Sequence, residues 1–141
     1  MSTLSVGTVQ SVGTIQSSTT SPPTINNSAG TAIGTFCRAW VNFNGTGTVA
    51  IRASFNVTSI TDNNTGDYTV NFTTAMPDAN YAISLAAQGT STTEASRFPC
   101  IKGVTATGAS NKTTSAVSVL YGNGYAAGLL DSAENNVSIF R

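Results

Sequence analysis

From Phe36 onward the chain breaks repeatedly into short runs in which apolar and polar residues alternate, and the breaks are clusters of Asn, Asp and Gly. Alternation with a period of two is the pattern of a strand with one buried face, and those clusters are turn chemistry. Together they restrict the chain to an all-β fold of many short strands. In residues 36–43, Cys37, Ala39, Val41 and Phe43 point one way, and Phe36, Arg38, Trp40 and Asn42 the other. Asn44-Gly45-Thr46-Gly47 is a turn, and residues 48–55 alternate again, with Val49, Ile51, Ala53 and Phe55 on one face and Arg52 opposite. Two such runs about a glycine-containing turn read as a β-hairpin.

The pattern continues. Residues 57–61 form a third strand, and residues 62–67 a turn. Tyr68, Val70 and Phe72 share one face of a fourth strand, and Tyr81, Ile83, Leu85 and Ala87 one face of a fifth. Weaker signals place strands at 98–105, 115–121 and 137–141, with long loops over 88–96 and 122–136. Residues 126–133 are the one stretch compatible with a helical turn. Strands at this spacing predict a compact antiparallel β-sandwich or barrel-like domain over residues 35–141.

Residues 1–34 differ: they carry no aromatic and no charged side chain. Ser5-Val6-Gly7-Thr8-Val9-Gln10 is repeated at once as Ser11-Val12-Gly13-Thr14-Ile15-Gln16, which puts apolar residues three apart. That period fits neither a plain strand nor an amphipathic helix. It suits an extended segment wound about a symmetric axis, or a sticky arm without fixed structure. Ser/Thr-rich residues 17–21 and Pro22-Pro23 read as an extended linker. The expected organisation is an N-terminal attachment and trimerisation segment, 1–34, followed by the β domain.

Composition narrows the function. Charged residues are 9% of the chain, six basic against six acidic, and histidine is absent. No basic stripe is available for phosphates, so nucleic acid is not expected as a partner. No apolar run approaches the length of a membrane helix, so membrane insertion is not expected either. Lack of histidine removes Ser-His-Asp and Cys-His catalysis. Residues 62–67 fail the EF-hand spacing, because positions six and twelve are Asp67 and Thr73. No metal or cofactor is expected. The opening residues have neither a basic n-region nor an apolar h-region, so no Sec-type leader is expected, and the seven N-x-S/T sequons are not expected to be glycosylated. Cys37 and Cys100 allow a disulfide or two separate thiols.

The block from Phe36-Cys37-Arg38-Ala39-Trp40-Val41-Asn42-Phe43-Asn44-Gly45 to Ile51-Arg52 and Phe55-Asn56-Val57 resembles a segment of tail-fibre and related virion proteins of tailed bacteriophages and prophages. So do Ile60-Thr61-Asp62-Asn63, Thr65-Gly66-Asp67-Tyr68-Thr69-Val70-Asn71-Phe72, Pro77-Asp78-Ala79-Asn80-Tyr81, and the Pro22-Pro23-Thr24-Ile25 lead-in. The resemblance spans residues 22–82. It implies a β-rich, trimeric tip domain on a host-recognition fibre or spike. This chain is much shorter than such fibres, which points to a small separate virion protein whose first 34 residues dock to other virion proteins.

Candidate receptor contacts are Tyr121, Asn123 and Tyr125, where two aromatics flank a Gly-Asn-Gly turn, and Thr92, Glu94 and Arg97 in the most polar loop. A host-surface glycan or protein would be the ligand. Arg38, Arg52, Asp62, Asp67 and Asp78 read as structural, with arginine–aspartate pairs tying turns to strands. Trp40 is assigned to the core or a subunit interface rather than to a sugar platform. The alternative function is architectural, a head or tail decoration or cement protein. A glycan depolymerase using Asp62 and Asp67 ranks last, and the protein is not expected to be an enzyme.

Overall fold

The computed structural model describes residues 25–34, 36–89, 97–103, 110–123 and 128–141. The chain divides into two units, Met1–Phe36 and Cys37–Arg141. In the first, β1 (Ile25–Asn26) and β2 (Ala32–Gly34) pair antiparallel. Asn27 holds their turn: its Oδ1 accepts hydrogen bonds from the amides of Ala29 and Thr31 at 3.0 and 2.9 Å.

The second unit is two antiparallel sheets. One has the order β4 (Ala50–Phe55), β3 (Cys37–Asn44), β11 (Asn135–Phe140), β7 (Ala82–Ala87). The other is built on β9 (Ala116–Asn123). One edge of β9 pairs with β6 (Asp67–Phe72), which pairs in turn with β5 (Val57–Asn64). The Tyr121 amide donates to Gly66 O at 2.8 Å, and Tyr121 O accepts from the Leu130 amide at 2.9 Å. Both groups of one strand residue face the same edge. Short β10 (Gly128–Leu129) therefore continues the line of β6 along β9, and β8 (Arg97–Ile101) takes the opposite edge. The sheets are open, so of the two architectures expected the chain adopts the sandwich.

One core lies between them. Ala39, Val41, Phe43, Val137 and Ile139 from the first sheet meet Tyr68, Val70, Phe72, Val117, Val119 and Tyr121 from the second. The Phe43 ring stands edge-on to Tyr68 at 5.2 Å and to Tyr121 at 6.3 Å, a favoured aromatic geometry. These are the inner faces that alternation marks in β3, β6 and β7, where Ile83, Leu85 and Ala87 pack against the core.

Elsewhere the structure departs from the pattern. β4 has no buried face. Its register with β3 shifts between Asn42 and Phe43, so Arg52 is the extra residue of a bulge. The extra residue flips the parity. Ala53 and Phe55 pair with Asn42 and Trp40 on the outer face, while Ile51 pairs with Phe43. Trp40, at 38% exposure, is therefore not core. Among the described residues no helix occurs, so the helical turn considered within 126–133 is replaced, where described, by β10 and irregular residues up to a bend at Ala133. Cys37 and Cys100 are free thiols.

Asn56 makes the corner where the chain leaves one sheet for the other, and its φ is 54°. Its Nδ2 donates to Arg38 O at 3.0 Å and Thr74 O at 3.1 Å, and its Oδ1 accepts from the Thr74 amide at 2.7 Å. Asn tolerates this left-handed backbone better than most residues.

Candidate functional site

Two long segments, 88–97 and 121–136, are where a recognition surface is expected. The register brings their stems together. Arg97, which opens β8, pairs with Asn123 at the end of β9, and Asn123 pairs with Gly128, which opens β10. Arg97 and Asn123 are both half-buried. Thr92, Glu94 and Tyr125 lie outside the described residues. Tyr121 does not belong to this surface: it is fully buried and packs against Phe43 and Tyr68. Parity is the reason. Tyr121 is in register with Val119 and Val117 on the inner face of β9, two residues short of the strand end. Its hydroxyl has no hydrogen-bond partner, and burial pushes its pKa well up.

The next row of the same sheet is open to solvent. Phe98 on β8 and Leu129 on β10 both pair with Gly122 of β9, from opposite edges. Phe98 is 61% exposed and Leu129 39%. Neighbouring strands lie ~4.8 Å apart, so the two side chains stand on strands roughly 10 Å apart with a glycine between them. Among the described residues, a Cβ on Gly122 would meet nothing nearer than Gly128 O at 3.6 Å and Leu129 Cδ2 at 4.0 Å, which leaves a shallow trough between Phe98 and Leu129. The following row is Cys100, Leu120 and Asp67.

A polar network borders the trough. Lys102 Nζ contacts Asp67 Oδ2 at 2.5 Å, and Asn63 Nδ2 donates to Asp67 Oδ1 at 3.1 Å and to Thr69 Oγ1 at 2.9 Å. Thr69 Oγ1 lies 2.9 Å from Ser118 Oγ, to which Asn111 Nδ2 donates at 3.3 Å. Asn71 Nδ2 donates to Ser59 Oγ and Thr61 Oγ1. The outer face of this sheet is thus a ladder of hydroxyl and amide groups running from β5 to β9.

The structural assignments need one correction. Asp67 and Asp78 are tied down, but not by Arg38 or Arg52. Asp67 takes Lys102, and Asp78 takes Arg141 at 2.5 and 3.0 Å, both arriving from later in the chain. The Arg141 guanidinium and the Asn80 amide hold the Asp78 carboxyl below its usual range. Arg52 Nη2 donates to Ala133 O at 2.5 Å, and its Nη1 lies 4.0 Å from Glu134. The Arg38 carbonyl accepts from Asn56. Asp62 is exposed on β5, opposite Tyr68. Spacing along the chain favoured nearby partners; the antiparallel closure of β11 and the pairing of β8 with β9, which ends next to Lys102, supplied distant ones.

A partly buried polar cluster links the two sheets. Asp131 Oδ1 accepts from Tyr68 Oη at 2.6 Å and from the Gly66 amide at 2.7 Å, and Tyr68 Oη lies 2.9 Å from Gly45 O. It ties the turns beside β3 and β6 to the segment before β11.

Phe98 and Leu129 are the residues that sequence reasoning missed. In Arg97-Phe98-Pro99-Cys100-Ile101 both parities hold apolar residues, so alternation does not say which face is buried. Pro99 carries the available signal, since proline within a strand marks an edge, and β8 is one. A scan against protein-family models, a search of curated proteins and a search of solved structures each found no match.

Proposed function

We propose that this chain is a virion protein of a tailed bacteriophage or prophage, a homotrimeric appendage that binds the host cell surface. Residues 1–34 attach it to other virion proteins, and the β-sandwich faces outward. The resemblance over residues 22–82 motivates the phage assignment. The observation that carries the binding function is the shared register of Arg97, Asn123 and Gly128. It sets the stems of the two segments named for recognition side by side across β9 at one end of the sheet, beside the exposed Phe98 and Leu129.

Trimerisation is supported by the other sheet. Trp40, Phe55 and Phe140 are 38%, 56% and 37% exposed on its outer face. Trp40 pairs with Phe55 on one side and Ser138 on the other. Aromatics grouped on one sheet face, with few charges to repel a second copy, suit a subunit interface. Three copies would convert weak sugar contacts into avid attachment.

The test is adsorption of the labelled full chain to a panel of bacterial cells and to their extracted envelope polysaccharides. Saturable binding to at least one surface, removed by periodate oxidation of its glycans or by protease treatment of its proteins, is the expected result. A chain that adsorbs to no surface, yet is recovered tightly bound to capsid or tail lattice, would replace this reading with the architectural one.

A further inference from the structure

The trough beside the strand stems has a shape and a chemistry that sandwich packing alone does not call for. Phe98 gives most of its surface to water, and it adds nothing to the core between the sheets. Gly122 keeps the floor flat between Phe98 and Leu129. About 7 Å along the strand, at a rise of ~3.4 Å per residue, the apolar surface continues as Leu120. Lys102 and Asp67 then close that end, and the hydroxyl and amide ladder lies beyond them.

We propose that this trough is a binding site for a neutral pyranose ring of a surface glycan, with the ring lying on Phe98 and its hydroxyls directed to the Asp67–Lys102 end. The proposal rests on the host-surface reading above and names its ligand class. A pyranose presents C–H groups on its faces and hydroxyls around its rim. The trough offers the complementary pair, an aromatic face with an apolar floor and hydroxyl partners at one end. Asp67 is buried and held by Asn63 and Lys102, so the Lys102 side chain, 35% exposed, is the group this end presents to a ligand. Lys102 has three donors and spends one here. Their charges compensate each other, so this end shows a ligand no net charge, which favours a neutral sugar over an acidic one.

The experiment is saturation-transfer NMR on the full chain with glucose, galactose, mannose, N-acetylglucosamine and the envelope polysaccharide that the chain adsorbs to. At least one neutral sugar should receive saturation, strongest on its ring C–H protons. Phe98→Ala should weaken that binding about tenfold, the loss expected for ~60 Å² of apolar contact. Phe98→Tyr should retain it, and Gly122→Leu should block it by filling the floor. Phe98 is exposed, so its variants fold whether or not the site is real, and the NMR spectrum of each reports that directly. If the chain adsorbs to cells while Phe98→Ala binds sugar like the parent, this site is wrong and the host-surface reading stands. If no saccharide is bound by the parent chain, the glycan ligand fails for both. A fall in solution mass on Phe98→Ala, without any sugar binding, would identify the patch as a subunit contact and overturn the proposal.

Discussion

Gly66 is the position where a single methyl group should do most damage. Its φ is +63°, a backbone that costs a non-glycine residue about 1–2 kcal/mol. A Cβ there would lie 2.6 Å from Tyr121 O, 2.7 Å from Leu130 N and 2.9 Å from Leu130 O. All three are backbone atoms of the β9–β10 pairing, which cannot swing away as a side chain can. Relief requires moving Gly66, and Gly66 is held at both ends: its amide donates to Asp131 at 2.7 Å and its carbonyl accepts from Tyr121 at 2.8 Å. Weakening those two bonds, one of them to a carboxylate, adds about 2–3 kcal/mol. Gly66→Ala should therefore cost roughly 3–5 kcal/mol in all, a lowering of Tm by at least about 10 °C for a domain of this size. Gly47 is the control. It has the same φ of +63°, and nothing lies within 4 Å of its Cβ position, so Gly47→Ala should lose only the backbone part, about 1–2 kcal/mol. Urea unfolding of both variants, followed by tyrosine and tryptophan fluorescence, measures the difference. Equal losses would refute the close-approach argument and leave only backbone strain.

The two buried tyrosines that flank Phe43 should respond oppositely to loss of their hydroxyls. Tyr68→Phe removes the donor shared by Asp131 and Gly45 and should cost about 2 kcal/mol, whereas Tyr121→Phe removes a buried hydroxyl with no partner and should be neutral or stabilising by up to about 1 kcal/mol in the same unfolding assay. At the corner between the sheets, Asn56→Ala loses three hydrogen bonds and keeps the strained backbone, so it should cost about 2–4 kcal/mol, while Asn56→Gly keeps the easy backbone and should cost about 1 kcal/mol less. Stability should fall at alkaline pH: burial pushes Tyr81 up to about 12, and Tyr68 and Tyr121 further up. Because the folded chain holds these protons where the unfolded chain releases them, the stabilisation is complete below pH ~10 and is lost as pH rises towards the folded values, at about 1.4 kcal/mol per pH unit for each tyrosine. An ultraviolet titration in which these three tyrosines ionise only together with unfolding is the expected result, and reversible ionisation of two or more of the four tyrosines of the folded protein near pH 10 would contradict it.

Much of this fold is legible in the sequence, because alternation and turn chemistry are local signals. The inner faces of β3, β6 and β7 can be read directly from Val41 and Phe43, Tyr68 and Val70, Ile83 and Leu85. The signal fails where a local rule meets a non-local one. In β4 one bulged residue, Arg52, reverses the parity, and nothing within residues 48–55 announces it; the bond to Ala133 lies 81 residues away. Tyr121 is followed by a Gly-Asn-Gly sequence that reads as a turn, yet β9 runs on through Asn123 and the residue's place in the core is set by the pairing of β9 with β6. The ion pairs of Asp67 and Asp78 likewise depend on partners that only the closed sheets bring near. The trough at Phe98 is illegible for a further reason: it is assembled from three strands, and its floor is an absent side chain.

The central claim, a trimeric β-sandwich appendage, is tested most directly by the solution mass of the full chain, measured by light scattering after size exclusion. The chain mass is 14.4 kDa, so a trimer weighs about 43 kDa, and Trp40→Ser on the outer face of the first sheet should lower that mass towards the monomer. A stable species of 14.4 kDa at all concentrations, unchanged by the Trp40 substitution, would contradict the account.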